Sequence, residues 1–190
     1  MSQEIEIEFK NMLTKQEFDN ITAALQLTEK DFTDQNNHYF DTDSFSLKQK
    51  NAALRIRRKN GEYVLTLKEP ADVGLLETHQ RLSEVSDLAG FSIPEGPVKD
   101  QLLQLEIDTD AIQYFGSLTT NRAEKETEKG LIVLDHSRYL NKEDFEIEFE
   151  AADWHEGQQA FEKLLQQYSI PQRETKNKIL RFYEEKRKSI

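Results

Sequence analysis

Cysteine is absent from this chain of 190 residues, which excludes disulfide bonds, thiolate metal sites and cysteine nucleophiles. Glycine and proline are scarce, with seven and four residues, and neither of the glycine-rich phosphate-binding signatures occurs. If the chain binds a phosphate compound, side chains must therefore supply the contacts. No signal-like segment and no apolar run of 18 residues is present, so we expect a soluble, cytoplasmic protein without a membrane partner.

Positive charge is in deficit. The chain has 25 lysines and arginines against 36 aspartates and glutamates, and this net charge of −11 argues against a nucleic-acid or anionic-membrane partner. Charged residues make up 32% of the sequence, above the usual ~25%. Because Phe, Leu and Ile recur with clear periods, we expect a folded protein, with residues 1–190 forming a single domain that places charge where core usually lies.

Two segments alternate carboxylates with large apolar residues: EIEIEFK at residues 4–10 and FEIEFE at residues 145–150. A period of two indicates a β-strand with one apolar and one charged face. Neighbours on one face lie about 6.6–7 Å apart, so each row of carboxylates repels itself. The pattern fits a solvated outer face of a sheet, but it also fits a row that a bound metal ion neutralises.

The rest of the sequence predicts a mixture of strands and helices. Strands are predicted at residues 3–10, 36–42, 53–59, 63–68, 74–81, 118–129, 131–136 and 143–150. Helices are predicted at residues 14–26, 154–168 and around 179–183, and residues 83–116 are predicted to be helical with short loops. Asn60-Gly61 indicates a tight hairpin, and strands joined by turns favour antiparallel pairing. The predicted fold class is α+β.

The charged strand faces are sorted by sign. A third strand places Arg55, Arg57 and Lys59 on one face, whereas an ordinary soluble surface intersperses its charges. Sorted faces are expected if the sheet closes into a barrel whose apolar faces point outward beneath amphipathic helices and whose interior is polar and charged. Inward arginines and lysines suit a polyanion, and inward carboxylates suit Mg²⁺ or Mn²⁺. Together they predict a metal–phosphate site.

Several motifs of the sequence resemble those of a known family. The run Glu6-x-Glu8-x-Lys10 resembles the signature of the CYTH domain, or triphosphate tunnel metalloenzymes. Further segments resemble the later motifs of that family in the same order: Tyr39-Phe40-Asp41-Thr42, Leu54-Arg55-Ile56-Arg57, Leu65-Thr66-Leu67-Lys68, Asp135 and Glu146-Ile147-Glu148. The resemblance implies a closed eight-stranded antiparallel β-barrel, or tunnel, with helices packed outside. It also implies binding of a linear triphosphate group and dependence on a divalent metal ion.

The resemblance also implies roles for individual residues. The implied metal ligands are Glu6, Glu8, Glu146 and Glu148, with Glu4, Glu150, Asp135 and Glu77 as further candidates. The implied phosphate-binding residues are Lys10, Arg55, Arg57, Lys68 and Arg122, with Lys176 or Lys178 as a further candidate. A metal-bound water would be the nucleophile, and no side-chain nucleophile is predicted. His79 is interpreted as a hydrogen-bonding residue, and the basic residues 181–188 as the end of a helix.

The first functional hypothesis is metal-dependent hydrolysis of inorganic triphosphate, a small-molecule substrate. The alternatives within the family are thiamine triphosphate hydrolysis and a class IV adenylyl cyclase reaction. A polyphosphate- or nucleotide-binding module without turnover is a third possibility of a different class. The sequence leaves open whether the protein is a monomer or a homodimer.

Overall fold

The computed structural model describes residues 2–188. The strands are β1 (Gln3–Leu13), β2 (Phe32–Thr42), β3 (Ala53–Lys59), β4 (Glu62–Pro70), β5 (Leu75–Leu82), β6 (Ile112–Thr127), β7 (Gly130–Tyr139) and β8 (Lys142–Ala151). The helices are α1 (Lys15–Ala24), α2 (Ser46–Gln49), α3 (Pro97–Gln104), α4 (Trp154–Gln167) and α5 (Lys178–Lys188). The strands form a closed antiparallel barrel in the order β1-β5-β4-β3-β2-β6-β7-β8, with helices outside. The predicted fold class is confirmed.

The chain divides into two compact units, of which the first comprises residues 2–6 and Asn36–Leu118. Its apolar core is formed by alternate residues of β3 and β4 together with α3, and the buried members include Leu54, Ile56, Leu65, Leu67, Val98 and Leu102. Because side chains alternate across a strand, Arg55 and Arg57 point away from this core. The helix α3 therefore covers the apolar face of β3, and the charged side chains lie on the opposite face.

The second unit comprises Ile7–Gln35 and residues 119–188. Its core joins α1 and α4 to β7 and β8 through Phe18, Ile21, Ile132, Leu134, Ile147, Phe161 and Leu165, among others. A capping box is present at the start of α1, since Thr14 Oγ1 accepts the Glu17 amide at 3.2 Å and Glu17 Oε2 accepts the Thr14 amide at 2.7 Å. Asp135 and Glu146 point away from this core.

The prediction for residues 83–116 was wrong in large part. Only α3 and a 3-10 turn at Thr109–Ala111 are helical there, residues 83–96 form a loop, and β6 begins at Ile112 instead of residue 118. The apolar residues Val85, Leu88 and Phe91 pack against the first core from this loop, so their spacing reflects burial without a helix. Gly96, at φ 141°, then provides a conformation that other residues avoid, directly before the first residue of α3.

No helix within residues 2–188 combines the length and the apolar character needed to cross a membrane.

Asp41, within the predicted Tyr-Phe-Asp-Thr motif, closes the loop that follows β2. Its side chain is buried, with 2% of the residue exposed. Asp41 Oδ1 accepts the amide of Leu47 at 3.0 Å, and Oδ2 accepts the amide of Lys48 at 3.2 Å. These amides at the start of α2 have no partner within the helix, so the carboxylate satisfies donors that would otherwise be buried and unpaired. In this structure the aspartate therefore has a structural role.

We expect Asp41→Ala to lower the free energy of unfolding by about 1–3 kcal/mol, because buried amides lose their acceptor. Urea denaturation followed by circular dichroism measures this change. Asp43→Ala is the matched control, since Asp43 is exposed in the same segment and its loss should change the free energy by less than about 0.5 kcal/mol. Equal effects of the two substitutions would refute the structural role.

Candidate active site

The first unit carries a charged cluster, the Lys68 cluster, formed by Glu6, Lys68 and Glu77. Lys68 Nζ lies 2.6 Å from Glu6 Oε2 and forms a second ion pair with Glu77 Oε1. Lys68 and Glu77 are cross-strand partners on β4 and β5, and the sheet register therefore sets their contact. Glu77, a further metal-ligand candidate from the sequence, is buried, with 4% of the residue exposed.

The two carboxyl groups of this cluster differ in acidity. Burial is the main cause that raises the pKa of Glu6, and the adjacent Glu77 adds to it. Burial also opposes ionisation of Glu77, but the charges of Lys68 and Arg55 and a hydrogen bond from Glu6 together hold the pKa of Glu77 below its usual value. Glu77 is therefore the stronger acid of the pair, and Glu6 is the first to take up a proton.

Glu4 and His79 lie at the edge of the Lys68 cluster. His79 Nε2 lies 3.1 Å from Glu4 Oε1 and 3.3 Å from Glu77 Oε2. The Glu4 side chain is 69% exposed, in contrast to the buried Glu77. His79 hydrogen-bonds as the sequence predicted, but its ring faces two carboxylates.

Arg55 and Arg57 project from one face of β3 in the same unit and are half-buried. Arg57 Nε donates to Asn37 Oδ1 at 3.0 Å, and Asn37 is buried on β2. Arg55 Nε is buried and has no hydrogen-bond partner within the described residues 2–188. A buried donor without a partner is costly, so this guanidinium can gain a hydrogen bond from an anionic ligand.

The second unit contains a larger group of charges, the Lys178 cluster, built from Arg122, Asp135, Glu146, Glu148 and Lys178. Arg122 forms a forked contact with Asp135, with Nε–Oδ1 at 2.7 Å and Nη2–Oδ2 at 2.6 Å. The same Nη2 lies 2.7 Å from Glu148 Oε2. Lys178 Nζ lies 2.8 Å from Asp135 Oδ2 and 2.8 Å from Glu146 Oε2, and it also pairs with Glu148. Two cations are thus shared by three carboxylates.

The register of strands β6, β7 and β8 and the start of helix α5 set the positions of the residues in the Lys178 cluster. Arg122 opposes Asp135 across β6 and β7, and Asp135 opposes Glu146 across β7 and β8. Glu148 follows Glu146 by two residues and therefore shares its face of β8. Lys178 is the first residue of α5, which brings its ammonium group to the carboxylates.

Lys10 and Glu8 of β1 border this cluster in the same unit. They form an ion pair with each other, and Lys10 is the cross-strand partner of Glu148. Burial opposes the charge of Lys10, but Glu8, Glu148 and Glu146 together raise its pKa above the usual value. Glu150 is half-buried opposite Glu8. Burial opposes the charge of Arg122, but Asp135, Glu148 and, to a smaller extent, Glu150 raise the pKa of Arg122 well above its usual value.

Asp135 and Glu148 of the Lys178 cluster are ionised at neutral pH. Burial opposes ionisation of Glu148, but Lys178, Arg122 and Lys10 outweigh it and hold its pKa well below the usual value. Burial likewise opposes ionisation of Asp135, and Arg122 and Lys178 lower the pKa of that group. Oxygens of Asp135, Glu146 and Glu148 all lie within 4.8 Å of one another, and Glu146 Oε1 is buried without a hydrogen-bond partner in residues 2–188. This oxygen-only set, with one acceptor to spare, fits a hard divalent cation such as Mg²⁺ or Mn²⁺.

The structure distinguishes the two lysines that the sequence left open. Lys176 is 53% exposed at its side chain and pairs with Glu184 at 2.6 Å, whereas the Lys178 side chain is 13% exposed inside the cluster. Arg181 was missed, because it was interpreted as part of a basic tail. Its Nη2 lies 2.8 Å from Glu146 Oε2, and its Nε lies 3.0 Å from Asp144 Oδ2. Its spacing of three residues from Lys178, which places both on one helix face, was the available signal.

We expect Lys178→Met to lower the free energy of unfolding of the metal-free protein by about 3–5 kcal/mol at pH 7, because buried carboxylates lose a partner. Urea denaturation of the two proteins, with a chelator present, measures this difference. The pKa values of Asp135 and Glu148 are lowered in the folded protein, so their stabilising effect is present above about pH 4 and is lost on acidification through the lowered values. The effect of the substitution should therefore shrink as the carboxyl groups become protonated.

Lys176→Met is the matched control for this experiment. Lys176 forms an exposed pair, so its replacement should change the free energy of unfolding by less than about 1 kcal/mol at any pH. If the two lysine variants were equally stable, the placement of Lys178 among the carboxylates would be wrong.

Comparison with known proteins adds independent findings. A family model described as the CYTH domain matches residues 4–183. A Bacillus subtilis protein named "Putative triphosphatase YjbK" is 92% identical over 190 residues, which cover 100% of both chains. A crystal structure from Bacillus halodurans, described as "a putative adenylate cyclase", is 42% identical with a TM-score of 0.91, over 96% of this chain and 100% of that chain. A Hippeastrum protein described as having a dominant triphosphatase activity shares the fold at 20% identity, with a TM-score of 0.72 over 95% of this chain and 96% of that one.

Proposed function

This chain belongs to the CYTH domain family, and on that premise we propose that it is a triphosphatase that hydrolyses inorganic triphosphate. The name of the 92% identical Bacillus subtilis protein supports a triphosphatase. The observation that carries the proposal is the Lys178 cluster, in which buried cations and ionised carboxylates neutralise one another. A metal–triphosphate complex also carries both positive and negative charge. The lysine and arginine side chains can therefore bind phosphate oxygens while the carboxylates bind the metal ion.

We propose that the metal ion is Mg²⁺ or Mn²⁺ and that Asp135, Glu146 and Glu148 hold it in the second unit. The family resemblance assigns Glu6 and Glu8 to the same task, and these assignments stay predictions, as do those for Glu4, Glu77 and Glu150. When bound, such an ion neutralises phosphate charge and activates a water molecule for attack on the terminal phosphorus. No side-chain nucleophile is required.

The basic residues of each unit bind and orient the phosphate groups in this proposal. Arg122 presents a planar fork of donors that matches two phosphate oxygens, and Lys10 beside it supplies a point charge. In the first unit, Arg55 offers its Nε, which has no hydrogen-bond partner in the described part of the chain, and Lys68 and Arg57 are the further candidates. Lys178 can exchange a carboxylate partner for a phosphate oxygen without losing charge compensation. Such fixed donors stabilise charge that develops on the phosphate in the transition state.

Several further predictions belong to this proposal. The match of the CYTH model to residues 4–183 supports a single CYTH domain over residues 1–190. A cytoplasmic location and a monomeric or homodimeric state stay predictions. Adenylyl cyclase activity is the second candidate, because the 42% identical Bacillus halodurans protein is described in that way. Thiamine triphosphate hydrolysis and binding without turnover remain as outcomes of the same test.

Purified protein is given inorganic triphosphate, ATP or thiamine triphosphate with Mg²⁺ or Mn²⁺, and released phosphate and cyclic AMP are measured. We expect phosphate release to be fastest from inorganic triphosphate and to stop when a chelator removes the metal ion, because carboxylates and phosphate then repel each other. Formation of cyclic AMP from ATP would instead show adenylyl cyclase activity. Faster turnover of thiamine triphosphate than of inorganic triphosphate would show that thiamine triphosphate is the preferred substrate. Tight binding of triphosphate without any product would refute the proposal that the protein is an enzyme.

Glu148→Gln keeps the size of the side chain but removes its charge. We expect kcat for triphosphate to fall at least about a hundredfold, because the ion loses a carboxylate ligand. Glu143→Gln is the matched control on the same strand, since the Glu143 side chain is exposed and pairs with His136, and the kcat of this variant should be unchanged. Metal-dependent activity that survived Glu148→Gln, in a variant with an unchanged circular dichroism spectrum, would show that the ligand assignment is wrong.

A further inference from the structure

We propose that Glu4, Glu77 and His79 of the first unit bind a divalent first-row transition-metal ion, with Zn²⁺ or Mn²⁺ preferred to Mg²⁺. The three side chains offer one imidazole nitrogen and two carboxylate oxygens, all within 4.8 Å of one another. This site goes beyond the proposed hydrolysis, because metal binding here requires no substrate and no turnover.

The distances between the ligand atoms already suit one shared ion. Transition-metal bonds to nitrogen and oxygen are about 2.0–2.2 Å long, so two ligand atoms on one ion lie about 3.0–3.5 Å apart. His79 Nε2 lies 3.1 Å from Glu4 Oε1 and 3.3 Å from Glu77 Oε2. Both separations fall within that range, and the oxygens of Glu4 and Glu77 lie within 4.8 Å of each other.

The sheet holds the three residues in place. Glu4 is the cross-strand partner of Glu77 on β1 and β5, and His79 follows Glu77 by two residues on the same face of β5. Lys68 pairs with Oε1 of Glu77, which leaves Oε2 to face the imidazole. The ligands are therefore positioned by strand register before any ion arrives, and the exposed Glu4 provides access from solvent.

A hydrogen bond to the other ring nitrogen orients the imidazole. His79 Nδ1 lies 3.0 Å from Thr66 Oγ1, and Thr66 is the cross-strand partner of His79 on β4. When Nδ1–H donates to this hydroxyl, the lone pair of Nε2 points at the two carboxylates. That arrangement is repulsive unless a cation lies between them, and metal-binding histidines are commonly oriented in this way through their second nitrogen.

The imidazole determines which metal is preferred. Imidazole nitrogen suits zinc and similar first-row ions, whereas Mg²⁺ prefers oxygen ligands and gives up its water with difficulty. The Lys178 cluster offers only oxygen ligands. A nitrogen ligand bound to the ion therefore identifies the proposed site in a protein that also binds ions through carboxylates alone.

Electron spin-echo spectroscopy of the full-length protein with Mn²⁺, without triphosphate, tests the proposal. We expect nitrogen coupling from one imidazole, and we expect His79→Gln to abolish it. Calorimetric titration should show that the same substitution weakens Zn²⁺ binding at least tenfold and leaves Mg²⁺ binding unchanged. Glu4→Gln, an exposed substitution with little risk to folding, should also weaken Zn²⁺ binding.

His136→Gln is the matched control, because His136 Nε2 lies 2.8 Å from Glu143 but belongs to no set of three metal-ligand side chains within residues 2–188. It should retain both the nitrogen coupling and the Zn²⁺ affinity. Absence of nitrogen coupling in the unaltered protein, or coupling that persists in His79→Gln, would overturn the proposal. Either result leaves the hydrolysis proposal intact, since phosphate release from triphosphate is measured separately.

Discussion

Compensation of buried negative charge is the constraint on which the rest of this structure depends. Asp135, Glu146 and Glu148 are almost fully buried, and an ionised carboxylate in such a place is costly unless a cation lies beside it. Arg122 reaches them from β6, and Lys178 and Arg181 reach them from α5. The position of α5 therefore follows from charge as well as from the apolar contacts of Phe182 and Tyr139.

The same constraint connects the fold to the proposed chemistry. Helices cover the apolar faces of the strands in each unit, so the opposite faces can carry charge at the close spacing that strands impose. The paired cations and carboxylates of the protein can also exchange these partners for the negative and positive groups of a ligand that carries both charges. A metal–triphosphate complex has that property. In the first unit, Arg55 Nε has no hydrogen-bond partner among residues 2–188, so such a ligand can accept a hydrogen bond from it.

Much of this could be predicted from the sequence, because alternation within a strand follows from backbone geometry alone. Alternation alone places Glu146 and Glu148 on the face of β8 opposite Ile147, whereas the inward direction of that charged face was expected only from closure of the barrel. The loop at residues 83–96 was misassigned because apolar residues there pack without a helical backbone. Lys178, Arg181 and the orientation of His79 depend on where α5 docks and on which strands pair. Those contacts link distant parts of the chain, so local pattern could not choose Lys178 over Lys176.

A crystal structure with Mn²⁺ and a non-hydrolysable triphosphate analogue tests the central claim most directly, because anomalous scattering locates the ion independently of the protein. The account predicts a manganese peak at about 2.1–2.2 Å from oxygens of Glu146 and Glu148, with phosphate oxygens within hydrogen-bond distance of Arg122 and Lys10. Triphosphate bound away from these cations, or carboxylates that keep all their present cation partners while the ion lies elsewhere, would contradict it.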